Sequence, residues 1–370
     1  MELLQKISFS ILLQESSEAR KIIHQIFNSK AKSQRDLSIC MIPFLSSICE
    51  GIITSFQLQN VELSLPDIED ISFEKLVKST RASYKLYSDK KTNKLQNQGE
   101  VWKNYLESNY NYFQKKFIQL FGQEDLGVFT FIDIPYGNTS QYNIYLEKLL
   151  DLKTVVTIGA RNEKRTKLLE YSGMLASLIN QIVMDLSEYN GDREESVLLQ
   201  QDEFKYKDYY FYDKKRKNVL GGSLPINTQL FLFNILCQNN FINIIMPDIF
   251  DVSGSFYYRT KLQAYLISVN SLSQTLRNHA SLINEKQVEI VEQLVEEKGK
   301  YFTFENKLRN NIFHYEIKGV PASIFKDKNR YFEEMVEYSV GINYKKIIDE
   351  IDNSLITINE LIRDLINYDM

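Results

Sequence analysis

The stretch from Glu305 to Glu316 reads ENKLRNNIFHYE, which sets an arginine, two amides, a histidine and a phenol close together. Arg309 supplies a permanent planar cation whose donors match phosphate oxygens. His314 is one of three histidines in the chain, and an imidazole gives and takes protons near neutrality. Together they can cleave RNA without a metal. The imidazole moves protons at the 2′-OH or the leaving 5′-oxygen, while the guanidinium offsets charge on a phosphorane-like transition state. Five residues along an ideal α-helix turn through about 140°. The two side chains therefore meet only if the helix ends or distorts between them, or if a second subunit supplies a matching pair. Gly319 and Pro321 predict a helix end shortly after His314. A histidine near a helix C-terminus is favoured in its protonated form, which suits a general acid. The plain alternative is that both residues are surface and capping groups.

Arg309 to His314 fits an R-x4-6-H pattern, with a polar residue, Asn310, directly after the arginine. With LRNNIFHY set in a helical neighbourhood, the segment resembles the HEPN superfamily of bacterial defence and toxin systems. The resemblance implies a helical bundle, usually dimeric and often a metal-independent endoribonuclease. Arg309 would then stabilise phosphate charge and His314 would act as general acid or base. Asn310 and Tyr315 would position phosphate, ribose or the imidazole. The products would be a 2′,3′-cyclic phosphate and a 5′-hydroxyl, because the 2′-OH is the internal nucleophile. The implied partners are RNA (tRNA or mRNA), a second copy of the chain, and an antitoxin or defence-system protein. No cofactor or metal is expected. A second reading, from another class, is a non-catalytic HEPN-like module that binds a partner protein or nucleotide. A DNA-binding regulator would need a basic recognition helix, and none is evident.

Two other clusters carry chemistry. Arg277-Asn278-His279 repeats the residue types without the spacing, and is either a second wall of the same cleft or a polar kink or turn. Phe204 to Lys217 (FKYKDYYFYDKKRK) interleaves aromatics with Lys205, Lys207, Lys214, Lys215, Arg216 and Lys217. Such a pattern can hold phosphates while bases stack, or it is an edge strand guarded by lysine. His24 has no partner motif and reads as a surface or half-buried side chain.

The elements that must position these residues are mostly helices. Glycine (14) and proline (6) are scarce over 370 residues, which favours long helices. The net charge of −4 gives no global basic field, so any nucleic-acid contact must be local. Cys40, Cys49 and Cys237 form no C-x-x-C and read as reduced thiols of a cytoplasmic protein. No signal peptide or membrane span is expected, and no membrane partner. Walker A, GxGxxG, HExxH and GxSxG motifs are all missing from the sequence.

The predicted fold class is mainly α. A helical N-terminal region (1–126) carries recognition or regulation. A hinge with short strands spans 127–162. A HEPN-like bundle follows over 163–370, with a basic and aromatic insertion at 203–219. Within this frame, Ser16 or Ser17 is expected to cap a helix running to Asn28, and Pro43 to disturb a helix from Arg35 to Phe56. Trp102, Leu106, Tyr110, Phe113, Phe117 and Leu120 form a stripe read as a packing face. Pro135 to Asn138 is expected to turn, and Gly299 to end a helix. Ile347, Ile351, Leu355, Ile358, Ile362 and Leu365 give a last stripe that suits either the core or a dimer interface.

Overall fold

The computed structural model describes residues 2–29, 33–68, 70–86, 111–122, 124–141, 158–186, 203–211, 218–302 and 305–368. The protein is mainly α. Long helices follow from the scarcity of breakers: α1 is Leu3–Asn28, α2 is Gln34–Gln57, and α3 is Phe73–Leu86. A two-residue hairpin, β1 (Asp67–Ile68) and β2 (Ile71–Ser72), leads into α3. Helix α1 begins thirteen residues before Ser16, so Ser16 and Ser17 cap nothing. Their hydroxyls instead donate back to the carbonyls of Leu12 and Leu13, 2.7 and 3.0 Å away, inside a helix that is already under way. Pro43 is accommodated within α2, which stays continuous.

Helix α4 (Tyr112–Phe121) precedes a three-stranded sheet. The sheet has order β4-β3-β5, from β3 (Leu126–Phe131), β4 (Ile134–Asn138) and β5 (Phe204–Tyr209), all antiparallel. Pro135 to Asn138 is therefore strand and not turn. The reversal lies at Ile132–Asp133, both with positive φ (46° and 61°), as a tight two-residue hairpin requires. Proline is tolerated in β4 beside a register shift at Phe129/Thr130.

Helix α5 (Ile158–Leu186) packs on α1 and α2. Helix α6 (Ile226–Asn240) is buried nearly all round and runs on into a π-helical segment, Phe241–Ile249. Pro247 lacks the N–H for an i→i−4 bond, and the widened turn accommodates it. Helices α7 (Ser255–His279), α8 (Glu285–Tyr301), α9 (Glu305–Phe313), α10 (Tyr331–Val340) and α11 (Tyr344–Ile366) complete the fold. Gly299 lies inside α8, not at its end. Helix α10 is an element that the sequence reading passed over.

One contiguous apolar core runs from α1 to α11. The α11 stripe is spent inside it: Ile347, Ile351, Leu355, Ile358, Ile362 and Leu365 are all buried within the chain. The expectation for the aromatic stripe fails where it can be checked. Phe113, Phe117 and Leu120 are exposed on α4, and that helix has no buried residue. Trp102, Leu106 and Tyr110 lie outside the described residues. Helices α2 and α6 with its π extension are long and apolar enough to cross a membrane, but both are mostly buried in the core.

Candidate functional site

His314 stands one residue beyond α9, its N–H still donating to the carbonyl of Asn310 at 2.9 Å. The side chain is about a third exposed (34%) and is met from the N-terminal half of the chain. Arg81 of α3 places one guanidinium nitrogen 3.3 Å from both Nδ1 and Nε2. A nitrogen equidistant from the two ring nitrogens cannot lie in the ring plane without striking Cε1 between them. It therefore sits over the ring face, with its N–H directed at the ring nitrogens. Glu50 of α2 completes the group. Its Oε2 lies 2.6 Å from Arg81 Nε and 4.0 Å from His314 Nδ1. The Arg81 and Glu50 side chains are each 15% exposed, so little water screens the pair.

The guanidinium over His314 thus belongs to Arg81, which lies 233 residues earlier. Arg309 sits on the regular part of α9 and leans toward Phe313, 5.8 Å from that ring's centroid. Among the described contacts, the cation at the imidazole is that of Arg81 and not the expected Arg309. Sequence reading missed both Glu50 and Arg81, because neither lies in a motif and no local spacing links them to His314.

The segment carrying His314 is held by a buried network. Arg259, near the start of α7, is 3% exposed and faces Glu15 of α1, which is fully buried. Arg259 Nε donates to Glu15 Oε1 and Oε2 at 2.9 and 2.7 Å. Its Nη1 donates to the carbonyls of Asn311 and Ile312 at 2.8 and 2.9 Å. These are carbonyls at the C-terminus of α9, which have no partner within the helix. Gln263 Nε2 adds a second donor to Ile312. The guanidinium carbon lies 4.4 Å from the ring centroid of Tyr315 and 4.7 Å from that of Phe332. Asn311 pins the loop after His314: its Oδ1 accepts from the N–H of Lys318 at 2.9 Å, and its Nδ2 donates to that residue's carbonyl at 3.1 Å.

Tyr315 takes part in this scaffold. Its hydroxyl donates to Glu15 Oε2 at 2.7 Å, and burial pushes its pKa up, helped by the Glu15 charge and opposed by Arg259. A phenol so committed positions the chain and does not reach for phosphate. Asn310 is exposed, and it is the other amide, Asn311, that does structural work. Gly51 lets α2 close on the same tyrosine, since a Cβ there would lie 2.6 Å from Tyr315 Cδ2. Glu18, one turn along α1 from Glu15, accepts from the N–H groups of Ser255 and Phe256 at 3.0 and 2.9 Å and so caps α7. Its pKa is pushed up to about 7, first by burial and then by the Glu15 charge, against the pull of these donors.

The remaining predicted residues fall elsewhere. Arg277 and Asn278 are exposed in the last turn of α7, and His279 Nε2 lies 3.2 Å from Thr228 Oγ1. Arg259, which touches the α9 terminus, is eighteen residues back along the same helix, so about 27 Å separates the two ends. The Arg277 cluster is therefore not a second wall of the His314 site. Lys205 and Lys207 lie on β5, at the edge of the sheet, and both are exposed. Lys205 pairs with Asp133 at 3.0 Å and Lys207 sits 4.9 Å from the ring centroid of Tyr209. Lys214, Lys215, Arg216 and Lys217 lie outside the described residues. His24 is exposed beside Asn180. Cys49 and Cys237 are buried and Cys40 is half-buried, all as free thiols. Comparison with known proteins finds no matching family model, no matching curated protein and no matching solved structure.

Proposed function

We propose that the protein is a metal-independent endoribonuclease of a toxin or anti-phage defence system, acting at His314. The observation that carries the reading is one guanidinium nitrogen of Arg81 held over the face of a partly exposed imidazole, with Glu50 beside both. In this reading His314 moves the proton between the 2′-OH and the leaving 5′-oxygen. Arg81 takes the role first given to Arg309, offsetting charge on the phosphorane, and Arg309 contributes from the flank. Glu50 holds the Arg81 guanidinium in place until phosphate replaces it as a partner. The likeness of Arg309 to His314 to the HEPN pattern supports the same chemistry, as does the all-helical setting of the segment. Assembly as a homodimer and neutralisation by an antitoxin belong to this proposal.

The test is expression in a bacterium of the wild type and of His314→Ala, Arg81→Ala and Arg309→Ala, with RNA ends mapped from the cells and from purified protein. Growth arrest and EDTA-insensitive cleavage leaving 2′,3′-cyclic phosphate, lost in His314→Ala and Arg81→Ala, support the nuclease. Equal behaviour of all four proteins rejects it. A second reading, a non-catalytic helical module binding a partner protein or nucleotide, is favoured by one observation. The Arg81–Glu50 pair is closed and mostly buried, as a clamp between α2 and α3 would be.

A further inference from the structure

Helix α4 carries its apolar residues on the outside. Phe113, Phe117 and Phe121 are 81%, 61% and 59% exposed, and Tyr112 is 69% exposed. The three phenylalanines recur at i, i+4 and i+8 and form one row. Together they expose roughly 400 Å² of aromatic surface, comparable to the largest apolar patch of an ordinary monomer. The helix does not depend on packing for its ends. Asn111 and Gln114 form a reciprocal capping box, and Gly122 closes the other end with φ 77°. Its only charges are Lys115 and Lys116, both exposed, with no acidic residue between Tyr112 and Phe121. A short self-capped helix with an aromatic row and lysines beside it is the pattern of an element that lies in a bilayer interface.

We propose that α4 docks on an anionic lipid surface, with Phe113, Phe117 and Phe121 inserted at the headgroup level and Lys115 and Lys116 against acidic headgroups. Two observations favour lipid over other occupants. The row falls short of the roughly 800 Å² per partner of a stable protein interface. Against RNA, the rings contact one another in pairs, which takes up part of the surface a base would stack on. The centroids of Phe117 and Phe121 lie 4.7 Å apart, and those of Tyr112 and Phe113 lie 5.8 Å apart edge to face. Base stacking needs open ring faces. A helix that lies on the bilayer surface needs no membrane span.

The test is co-sedimentation of the full chain with vesicles of phosphatidylcholine alone and with about a third phosphatidylserine added. Binding to the anionic vesicles is expected to fall more than about tenfold in Phe113→Ser/Phe117→Ser. It should fall roughly tenfold in Lys115→Glu/Lys116→Glu and as salt is raised. Both variants change exposed residues, so melting temperatures should match the wild type and serve as the folding control. Failure of the wild type to sediment, or equal sedimentation of wild type and variants, overturns the proposal. So does a dimer in light scattering, or RNA retention on a filter, that the phenylalanine variant abolishes. The readout involves neither His314 nor RNA cleavage, so it stands or falls apart from the nuclease reading.

Discussion

Replacing Arg259 by methionine tests the claim that one buried guanidinium holds the His314 segment in place. The wild-type side chain meets a fully buried Glu15 and the carbonyls of Asn311 and Ile312. Methionine fills similar space but leaves Glu15 without its cation, and Asn311 without the Arg259 donor. Removing one member of a buried pair costs about 3–5 kcal/mol, mostly through the stranded charge. Charge-assisted hydrogen bonds of this kind are worth about 1.5–3 kcal/mol each. These overlap and do not add, because they share one cation. The expected loss is therefore about 4 kcal/mol, a large part of a typical folding free energy. In urea, at roughly 3 kcal/mol per molar, the midpoint should drop by about 1 M or more. The double variant Arg259→Met/Glu15→Gln removes the stranded charge but leaves Tyr315 its acceptor. It should recover at least half of the loss. A single-variant loss under about 1 kcal/mol would falsify the reasoning, and so would a double variant no more stable than the single one.

Glu18 predicts a pH dependence. Its pKa is raised from 4.5 to about 7 in the folded protein, so the native state binds more protons than the unfolded chain between those values. Stability should fall as pH rises from about 5 to 7.5, by up to about 3 kcal/mol, and then level off. Urea midpoints across that range measure it, and Glu18→Gln should flatten the slope; a wild-type profile that rises with pH contradicts the assignment. Gly51→Ala sets a helix-propensity gain of about 1 kcal/mol against a Cβ 2.6 Å from Tyr315 Cδ2. The ring is held by Glu15 and stacked on Arg259, so the clash should win, with a net loss of about 1–3 kcal/mol. A higher melting temperature in the alanine variant would show that the ring moves aside freely.

Much of the helical frame was legible from the order of residues. The stripe from Ile347 to Leu365 and the long apolar run from Ile226 became α11 and α6, because periodic burial is a local pattern. Element ends read less well. Ser16 and Ser17 resemble caps but lie mid-helix, since a hydroxyl is equally satisfied by a carbonyl one turn back. The aromatic row of α4 could not be told from a core face by its period. Spacing says which residues share a side, not whether anything covers it.

For the site, the sequence by itself determined that a histidine follows an arginine near a helix end, and that a proton carrier and a cation lie close in the chain. Only the tertiary structure decided which cation faces the imidazole. Arg81 and Glu50 come from helices α3 and α2, brought there by core packing. Likewise, nothing local tells that Asn311 is structural while Asn310 faces solvent, or that Tyr315 answers to Glu15 300 residues away. The physical reason is range. Helix propensity and periodicity act within a few residues, whereas the partner of a charge is set by which helices the apolar core draws together.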